Sequence, residues 1–296
     1  MITFHTLQDK IILNKKTYKK SMSFERIFQT TYETSIFRNR LLFDHECEPQ
    51  EFKHRKYEMD TIAECMKPLL NHDKATNAVI YGNCSTGKTT AVKRILEHIE
   101  KITTKVVCVY INSESKNKRD IYNHIHKKIF GYIIEQNRIG TSEIKNKIVS
   151  YMRNKHKSLI IVLDEADCLK KELDDIVKSL LKLHEEYYGA RVGLYLIAYD
   201  IKILNLSSST NSLFQLKEVF FNEYSKEQVY DILSKRCDYG FVKGAITERQ
   251  LKEVVNVSIN IRDGLSILMS IGRLAERDNS KKIKDDYLNK IIHKIV

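Results

Sequence analysis

The sequence has few of the features that would place it outside the ordinary globular class. Its 296 residues include two prolines, ten glycines and no tryptophan, so long flexible linkers are not expected. No apolar run is long enough to cross a bilayer as a helix, so no membrane association is predicted. The first residues lack the basic-then-apolar layout of a signal peptide, and the cytoplasm is the expected location.

Cysteine is also used sparingly. The six cysteines lie far apart, and no two of them are separated by only two residues. This spacing argues against a structural zinc site and, in the cytoplasm, against a framework of disulfides.

Basic residues outnumber acidic residues. Lysine and arginine number 50 against 38 aspartates and glutamates, a formal net charge of +12. This balance fits binding to a polyanion such as DNA or RNA, and it also fits a lysine-rich protein without such a partner. Residues 1–33 form a basic arm rich in lysine, for which contact with nucleic acid and a solvated terminus both remain open.

A glycine-rich stretch at residues 82–89 carries the strongest signal. Its order of Gly, four residues, Gly, Lys and Thr is that of a phosphate-binding P-loop. Lys88 is expected to reach the β- and γ-phosphates of ATP as a catalytic residue, and the Thr89 hydroxyl to bind Mg²⁺. The residues of this stretch predicted to bind the nucleotide are Gly82, Asn83, Cys84, Ser85, Thr86, Gly87, Lys88, Thr89 and Thr90.

The surroundings of the loop support this prediction. An apolar run at 78–81 predicts a buried strand before it, and apolar residues at helical spacing over 90–99 predict a helix after it. Glycines let the backbone approach a polyphosphate, and the helix offers its positive N-terminal end. The sequence therefore predicts binding of a nucleoside triphosphate.

An acidic pair ends a later apolar run at 159–163. Asp164 and Glu165 follow this predicted strand, and the carboxyl end of a parallel strand faces the nucleotide crevice. Asp164 is expected to hold Mg²⁺, directly or through water, and Glu165 to orient or deprotonate the attacking water. The alternative is a strand merely capped by charges.

The order of the elements predicts the fold. Strands at about 78–81, 106–111, 159–163, 192–198 and 216–221 alternate with helices, including helices at 118–136 and 141–153. This alternation predicts an α/β fold with a doubly wound parallel sheet. A polar stretch at 207–212 is interpreted as a loop. Beyond residue 224 the pattern is helical, so the predicted division is a basic arm at 1–33, a P-loop core at 34–222 and a small α-helical lid at 223–296.

Together these pieces resemble an AAA+ ATPase and, within that group, the origin-recognition and cell-division-control initiators of archaeal type. The likeness runs from about residue 36 to the end. It is carried by residues 36–39 with 49–55, by 110–112, by 163–167, and by 261–268 with 275–276.

This resemblance implies further site residues. Arg262, at the start of a lid helix, would be the arginine that reaches the γ-phosphate and acts in catalysis. The alternative for Arg262 is a solvated charge at a helix start. His54 and Arg55 would lie near the adenine of the nucleotide.

The resemblance also implies ATP and Mg²⁺ as cofactors and duplex DNA as a partner. A weak sequence preference is expected, because phosphate contacts should dominate over contacts with base edges. Other replication proteins and self-association remain open. The DNA-contacting helical insertion of the family is expected at about 136–147, where the basic residues are Arg138, Lys145 and Lys147.

Three departures from the family pattern bear on turnover and on DNA binding. The position of a polar sensor residue after the fourth strand is filled by Tyr199, with Asp200 beside it. Residues 205–213, where an arginine finger is often found, contain no arginine or lysine. The sequence ends after the lid, so the winged helix that initiators use on DNA is expected to be absent.

The predicted function is therefore an ATP-binding switch that acts on DNA in replication initiation or its control, with doubtful turnover. One alternative is an ATP-locked protein-interaction module with negligible hydrolysis. Another is a different P-loop ATPase, of mobile-element or signalling type.

Overall fold

The computed structural model describes residues 35–45, 47–49, 51–135, 139–183, 191–214 and 216–295. The predicted basic arm at 1–33 and the predicted DNA contact Arg138 lie outside these residues. The chain divides into two compact units. The sheet unit lies within Gln50–Ser225, and the helical unit combines the described residues of Lys226–Val296 with residues 35–45 and 47–49.

Five parallel strands form the core of the sheet unit, in the order β2-β3-β4-β1-β5. They are β1 Ala78–Tyr81, β2 Val106–Asn112, β3 Ser158–Asp164, β4 Arg191–Ala198 and β5 Lys217–Phe220. Every residue of β3 is buried, as expected for a parallel strand that is covered on both faces. The predicted parallel sheet is confirmed, and β1, which leads into the P-loop, lies between β4 and β5.

Helices cover both faces of this sheet. They are α1 Lys56–Met66, α2 Lys88–Ile102, α3 Lys118–Phe130, α4 Thr141–Asn154, α5 Leu173–Leu181 and α6 Ser208–Phe214. Alternate strand residues point to opposite faces, so Ile160 packs with α1 and α2 whereas Ile161 packs with the other four helices. The doubly wound prediction is therefore confirmed.

Two local predictions in the sheet unit were wrong. The helix predicted over 118–136 ends at Phe130, because Gly131 adopts a left-handed conformation with φ 86° and donates its N–H to Lys127 O at 2.8 Å. The stretch interpreted as a polar loop forms α6. The Thr210 N–H donates to the Ser207 hydroxyl at 3.3 Å, and Thr210 and Phe214 are fully buried, which stabilises this short helix.

Four helices make up most of the helical unit, as predicted. They are α7 Lys226–Gly240, α8 Glu248–Val257, α9 Ile261–Arg277 and α10 Asp285–Ile295. In the described part of the chain, no helix in either unit combines the length and apolarity that a bilayer crossing requires.

An aromatic cluster joins residues 35–49 to these helices. The rings of Phe37 and Phe43 lie 5.2 and 4.4 Å from the ring of Phe241. A Cβ added at Gly240 would lie 2.5 Å from the Phe43 ring, and one added at Gly272 would lie 2.3 Å from the Phe37 ring. Helices α7 and α9 therefore carry glycine where these rings approach them. Residues 35–49 were predicted to belong to the P-loop core, whereas the structure groups them with the C-terminal helices.

Candidate nucleotide-binding site

The glycine-rich loop connects β1 to α2, as predicted. Gly82 and Gly87 have φ of 141° and 91°, values that L side chains rarely adopt. A Cβ at Gly82 would lie 2.3 Å from Phe221 O, and one at Gly87 would lie 2.8 Å from the Tyr224 hydroxyl. Both glycines are therefore required by conformation and by space.

Hydrogen bonds hold the shape of this loop. The Gly82 N–H donates to Tyr199 O at 3.1 Å, which ties the start of the loop to the end of β4. Within the loop, the Thr86 hydroxyl donates to Asn83 O at 2.9 Å. The Asn83 amide donates to the carboxylate of Glu223, beyond the end of β5.

Lys88 is the first residue of α2, and its ammonium group lies over the loop. Nζ donates to Gly82 O at 2.6 Å and to Asn83 O at 2.8 Å. These carbonyl oxygens accept hydrogen bonds that a polyphosphate would otherwise accept from the lysine. The ammonium group is therefore placed at the point where the N-terminal end of α2 meets the loop.

The Ser85 hydroxyl shows whether the loop fits a phosphate. Its hydroxyl oxygen is buried and has no hydrogen-bond partner among the described residues. A buried hydroxyl without a partner costs free energy of about 1–3 kcal/mol, and a phosphate oxygen would supply the missing acceptor. The residues present in the loop thus fit a bound polyphosphate.

The acidic motif lies beside the loop. Asp164, the last residue of β3, is 4% exposed, and its Oδ2 accepts a hydrogen bond from the Thr89 hydroxyl at 2.7 Å. Its Oδ1 accepts from the backbone N–H of Glu165 at 2.9 Å. The structure therefore brings together the two residues that were predicted to hold Mg²⁺, a hydroxyl and a carboxylate of the kind this ion prefers.

Glu165 follows Asp164 at the same corner of the sheet. The residue is exposed, and its backbone has φ of 53°, in the left-handed region that is uncommon for a residue with a side chain. Strain of this kind clusters at functional sites, where the surrounding structure holds it.

Tyr110, on β2, was not predicted as a site residue. Its hydroxyl donates to Oδ2 of Asp164 at 2.6 Å. Burial, reinforced by this hydrogen bond, raises the pKa of Tyr110 above its usual range. A side chain with a hydroxyl group within the apolar run at 106–111 was the signal available in the sequence.

Arg55 is buried beneath the loop. Its Nε donates to Thr86 O at 2.9 Å, its Nη1 donates to Glu58 Oε1 at 2.8 Å, and its Nη2 donates to Asn222 O. The guanidinium also lies 3.9 Å from the ring centroid of Tyr224. Arg55 thus joins the P-loop to the segment after β5, and a direct contact with adenine stays a prediction.

The other predicted residues near the nucleotide have simpler surroundings. His54 is exposed with φ of 65°, Cys84 is exposed on the loop, and Thr90 lies half-buried in the first turn of α2. Their contacts with a nucleotide stay predictions.

Comparison with known proteins gives two family models that match this chain. Residues 71–199 match an AAA domain, and residues 230–291 match a Cdc6 AAA+ ATPase-type lid domain. The ORC1-type DNA replication protein 2 of Methanothermobacter thermautotrophicus is 31% identical over 268 residues, which cover 88% of this chain and 71% of that protein. The chain belongs to the ORC1-type DNA replication protein family. The predicted resemblance is confirmed.

Solved structures agree on the fold of this ORC1-type protein. The structure of Cdc6p from Pyrobaculum aerophilum has a TM-score of 0.78 at 21% identity, covering 88% of this chain and 72% of that one. The Aeropyrum pernix ORC1 protein in complex with DNA has a TM-score of 0.76 at 24% identity, covering 88% and 70%.

Arg262 lies in the helical unit of the ORC1-type chain, on the first turn of α9. Its side chain is exposed and makes no hydrogen bond or ion pair with the described residues of that unit. A cation at a helix N-terminus is electrostatically unfavourable, so local helix stability does not explain an arginine there. Its contact with the γ-phosphate stays a prediction.

The structure describes both of the sheet-unit positions that depart from the family pattern. Tyr199, at the predicted sensor position, is 48% exposed, while Asp200 accepts a hydrogen bond from Lys202 N at 2.9 Å and caps the short 3₁₀ helix Ile201–Leu204. The segment without basic residues forms part of α6.

Proposed function

We propose that this ORC1-type protein is an ATP-binding AAA+ switch that acts on duplex DNA in replication initiation or its control and hydrolyses ATP slowly. The observation that carries the proposal is the 2.7 Å hydrogen bond between Thr89 and Asp164, which joins the P-loop to the acidic motif. The names of the relatives as DNA replication proteins support the setting.

In this proposal the loop binds ATP by exchanging internal hydrogen bonds for bonds to phosphate. Lys88 turns from the carbonyls of Gly82 and Asn83 to the β- and γ-phosphates, and the buried Ser85 hydroxyl gains an acceptor. Because the loop already has its curved shape, little conformational entropy is lost on binding.

Hydrolysis needs a metal, a water and a positive charge near the γ-phosphate. Thr89 and Asp164 would hold Mg²⁺, which when bound neutralises charge on the phosphates. Glu165 orients the attacking water and accepts its proton, since its exposed carboxylate is adjacent to Asp164. Arg262 supplies positive charge to the γ-phosphate from the lid.

The nucleotide part of the proposal is tested by Lys88→Ala. We expect calorimetry to show no ATP binding, because the charge facing the β- and γ-phosphates is removed. Lys101→Ala, in the last turn of the same helix and exposed, is the matched control and should bind like wild type. Wild-type affinity in Lys88→Ala would contradict the assignment.

The DNA part of the proposal concerns phosphate contacts. Lys145 and Lys147 lie on α4, and the Lys147 ammonium pairs with Glu143 at 3.7 Å on an exposed surface. Contacts between lysine ammonium groups and DNA phosphates supply charge but do not read the base sequence. We therefore expect weak duplex binding with little sequence preference, which ATP strengthens.

A salt titration with and without ATP tests this part. A protein that contacts six or more phosphates loses about a thousandfold or more in affinity between roughly 50 and 200 mM salt. Replacing Lys145 and Lys147 by alanine should lower the magnitude of the slope of the logarithm of affinity against the logarithm of salt concentration. The decrease should be about one for each phosphate that the variant no longer neutralises. Deleting residues 1–33 should weaken binding uniformly across sequences, and salt-insensitive binding would contradict the proposal.

A second candidate function is an ATP-locked protein-interaction module. Tyr199 at the sensor position and the absence of basic residues in 205–213 favour it, because an arginine finger contributes about 10³–10⁵ to turnover in P-loop NTPases. Single-turnover hydrolysis at high protein concentration separates the two: ATP that remains intact over hours favours the locked module.

A further inference from the structure

The carboxylate of Asp164 is held from three directions. Oδ2 accepts from the Thr89 hydroxyl at 2.7 Å and from the Tyr110 hydroxyl at 2.6 Å, while Oδ1 accepts from Glu165 N at 2.9 Å. A carboxylate oxygen accepts about two hydrogen bonds. The capacity of Oδ2 is therefore filled by the two hydroxyls, and Oδ1 keeps one position for a further ligand.

Tyr110 reaches Asp164 from a neighbouring strand. It lies on β2, which pairs with β3 so that Asn112 is opposite Asp164 and Tyr110 is opposite Val162. The Lys93 ammonium of α2 lies 4.8 Å from the centroid of the Tyr110 ring. A cation over an aromatic ring is attracted to its face, so Lys93 helps to hold the ring in place.

We propose that Tyr110 is a positioning residue for metal binding, whose hydroxyl holds the Asp164 carboxylate with Oδ2 toward Thr89 and Oδ1 toward the metal or its water. This inference rests on the proposed function, since it concerns the metal bound together with ATP. Without the Tyr110 hydroxyl, Oδ2 has an open position, and only the Thr89 hydroxyl and the Glu165 N–H still orient the carboxylate.

The expected effect is large enough to measure. Loss of an outer-shell partner of a metal ligand typically weakens metal affinity by about 10–100-fold. Tyr110→Phe removes the hydroxyl and keeps the ring under Lys93, so the packing of β2 is preserved.

Tyr195→Phe is the matched control. Tyr195 lies on β4 of the same sheet, is fully buried, and donates its hydroxyl to Cys65 O at 3.0 Å. Both variants remove one phenolic hydroxyl that donates a hydrogen bond, but only Tyr110 contacts Asp164. A loss of stability alone should therefore appear in both variants.

The experiment measures Mn²⁺ binding by electron paramagnetic resonance in the presence of a non-hydrolysable ATP analogue, and analogue binding in EDTA. We expect Tyr110→Phe to weaken Mn²⁺ binding by about tenfold or more and to leave metal-free analogue binding unchanged. Tyr195→Phe should match wild type in both measurements.

The outcomes separate this inference from the proposed function. No binding of analogue and Mn²⁺ by the wild type overturns the proposed function itself. Wild-type binding together with equal Mn²⁺ affinities in Tyr110→Phe and Tyr195→Phe overturns the role of Tyr110 alone. An equal loss of metal-bound and metal-free analogue binding in Tyr110→Phe also overturns it, because the hydroxyl would then serve only the fold.

Lys93→Met provides a second variant should Tyr110→Phe fail to fold. It removes the cation above the ring and keeps the hydroxyl. We expect Mn²⁺ binding about twofold weaker, in line with the modest strength of a cation–ring contact at a half-exposed site. Unchanged Mn²⁺ affinity in Lys93→Met would then overturn the proposal.

Discussion

Different interactions stabilise the interior of the sheet unit and the interior of the helical unit. In the sheet unit, the site residues hold one another through hydrogen bonds, as Asp164 does with Thr89 and Tyr110. In the helical unit, rings such as Phe37 and Phe241 pack against each other and against helix glycines. The first arrangement preorganises polar groups for a ligand, and the second packs the helices closely around aromatic rings.

This difference indicates that the two units have different roles. The sheet unit carries the residues proposed to bind ATP and the metal, whereas the helical unit offers one predicted catalytic residue, the exposed Arg262. Substitutions of the residues proposed to bind ATP and the metal should therefore change binding and chemistry, and those inside the helical unit should change stability first.

Glu165→Gln gives the largest expected effect and tests whether binding and hydrolysis are separable within the sheet unit. The amide keeps the size of the side chain but accepts no proton, so turnover should fall by about a hundredfold or more. ATP affinity should stay at the wild-type value, because Glu165 is exposed and the loop contacts are untouched. Phosphate release and calorimetry measure the two quantities. Unchanged turnover would remove Glu165 from the mechanism.

Arg55→Met sharpens the comparison by removing one buried polar anchor. The substitution takes a hydrogen-bond donor away from Glu58 and from the carbonyl oxygens of Thr86 and Asn222, at a cost of about 3–5 kcal/mol in the free energy of unfolding. Urea denaturation should show this destabilisation, and ATP binding should weaken because the loop loses its tether.

His54→Ala is the control for Arg55→Met. His54 is the neighbouring residue and is exposed, so its replacement should change the free energy of unfolding far less. Equal effects of the two substitutions would contradict the role of Arg55 as an anchor.

Gly272→Ala tests the packing of the helical unit. The added Cβ would lie 2.3 Å from the Phe37 ring, and overpacking of this kind costs about 1–3 kcal/mol. Gly140→Ala is the matched control, because nothing lies within 4 Å of its added Cβ. Thermal unfolding should occur at a lower temperature in Gly272→Ala, while ATP binding to the sheet unit stays unchanged. A loss of ATP affinity in Gly272→Ala would break the division of work between the units.

Asp174→Asn has the smallest expected effect and depends on pH. Burial acts to raise the pKa of Asp174, but hydrogen bonds from Ser207 and Thr210 outweigh it and hold the pKa below its ordinary value. The stability that these bonds provide is present above the ordinary value of 3.8 and is lost as the pH falls through the lowered one.

Urea denaturation at several pH values checks this prediction. The destabilisation by Asp174→Asn should be full at pH 7 and should shrink as the pH falls below 3.8. A destabilisation by Asp174→Asn that is constant with pH would contradict the prediction.

The sheet and the two nucleotide motifs were predictable from the sequence because each depends on local order. A buried strand, a glycine-rich loop and a helix follow one another at 78–102, and the acidic pair directly follows its own strand. Hydrophobic runs of strand length reveal parallel strands even when their order in the sheet is hidden.

The contacts of Tyr110, Arg55 and Phe37 were not predictable in this way. Each joins residues far apart in sequence, as Arg55 does with Asn222, and a sequence pattern carries no distance between such segments. The helix at 208–214 was missed because its residues are polar, and burial of Thr210 and Phe214 stabilises it more than helix propensity does.

Helix α9 connects the exposed arginine to the aromatic cluster. Ten residues separate Arg262 from Gly272, which is about 15 Å along a helix axis, and Gly272 packs directly under the Phe37 ring. An uninterrupted helix behaves as a stiff lever over that length. Within the helical unit, a displacement of α9 at Arg262 would therefore be transmitted along the helix to the Phe37 ring.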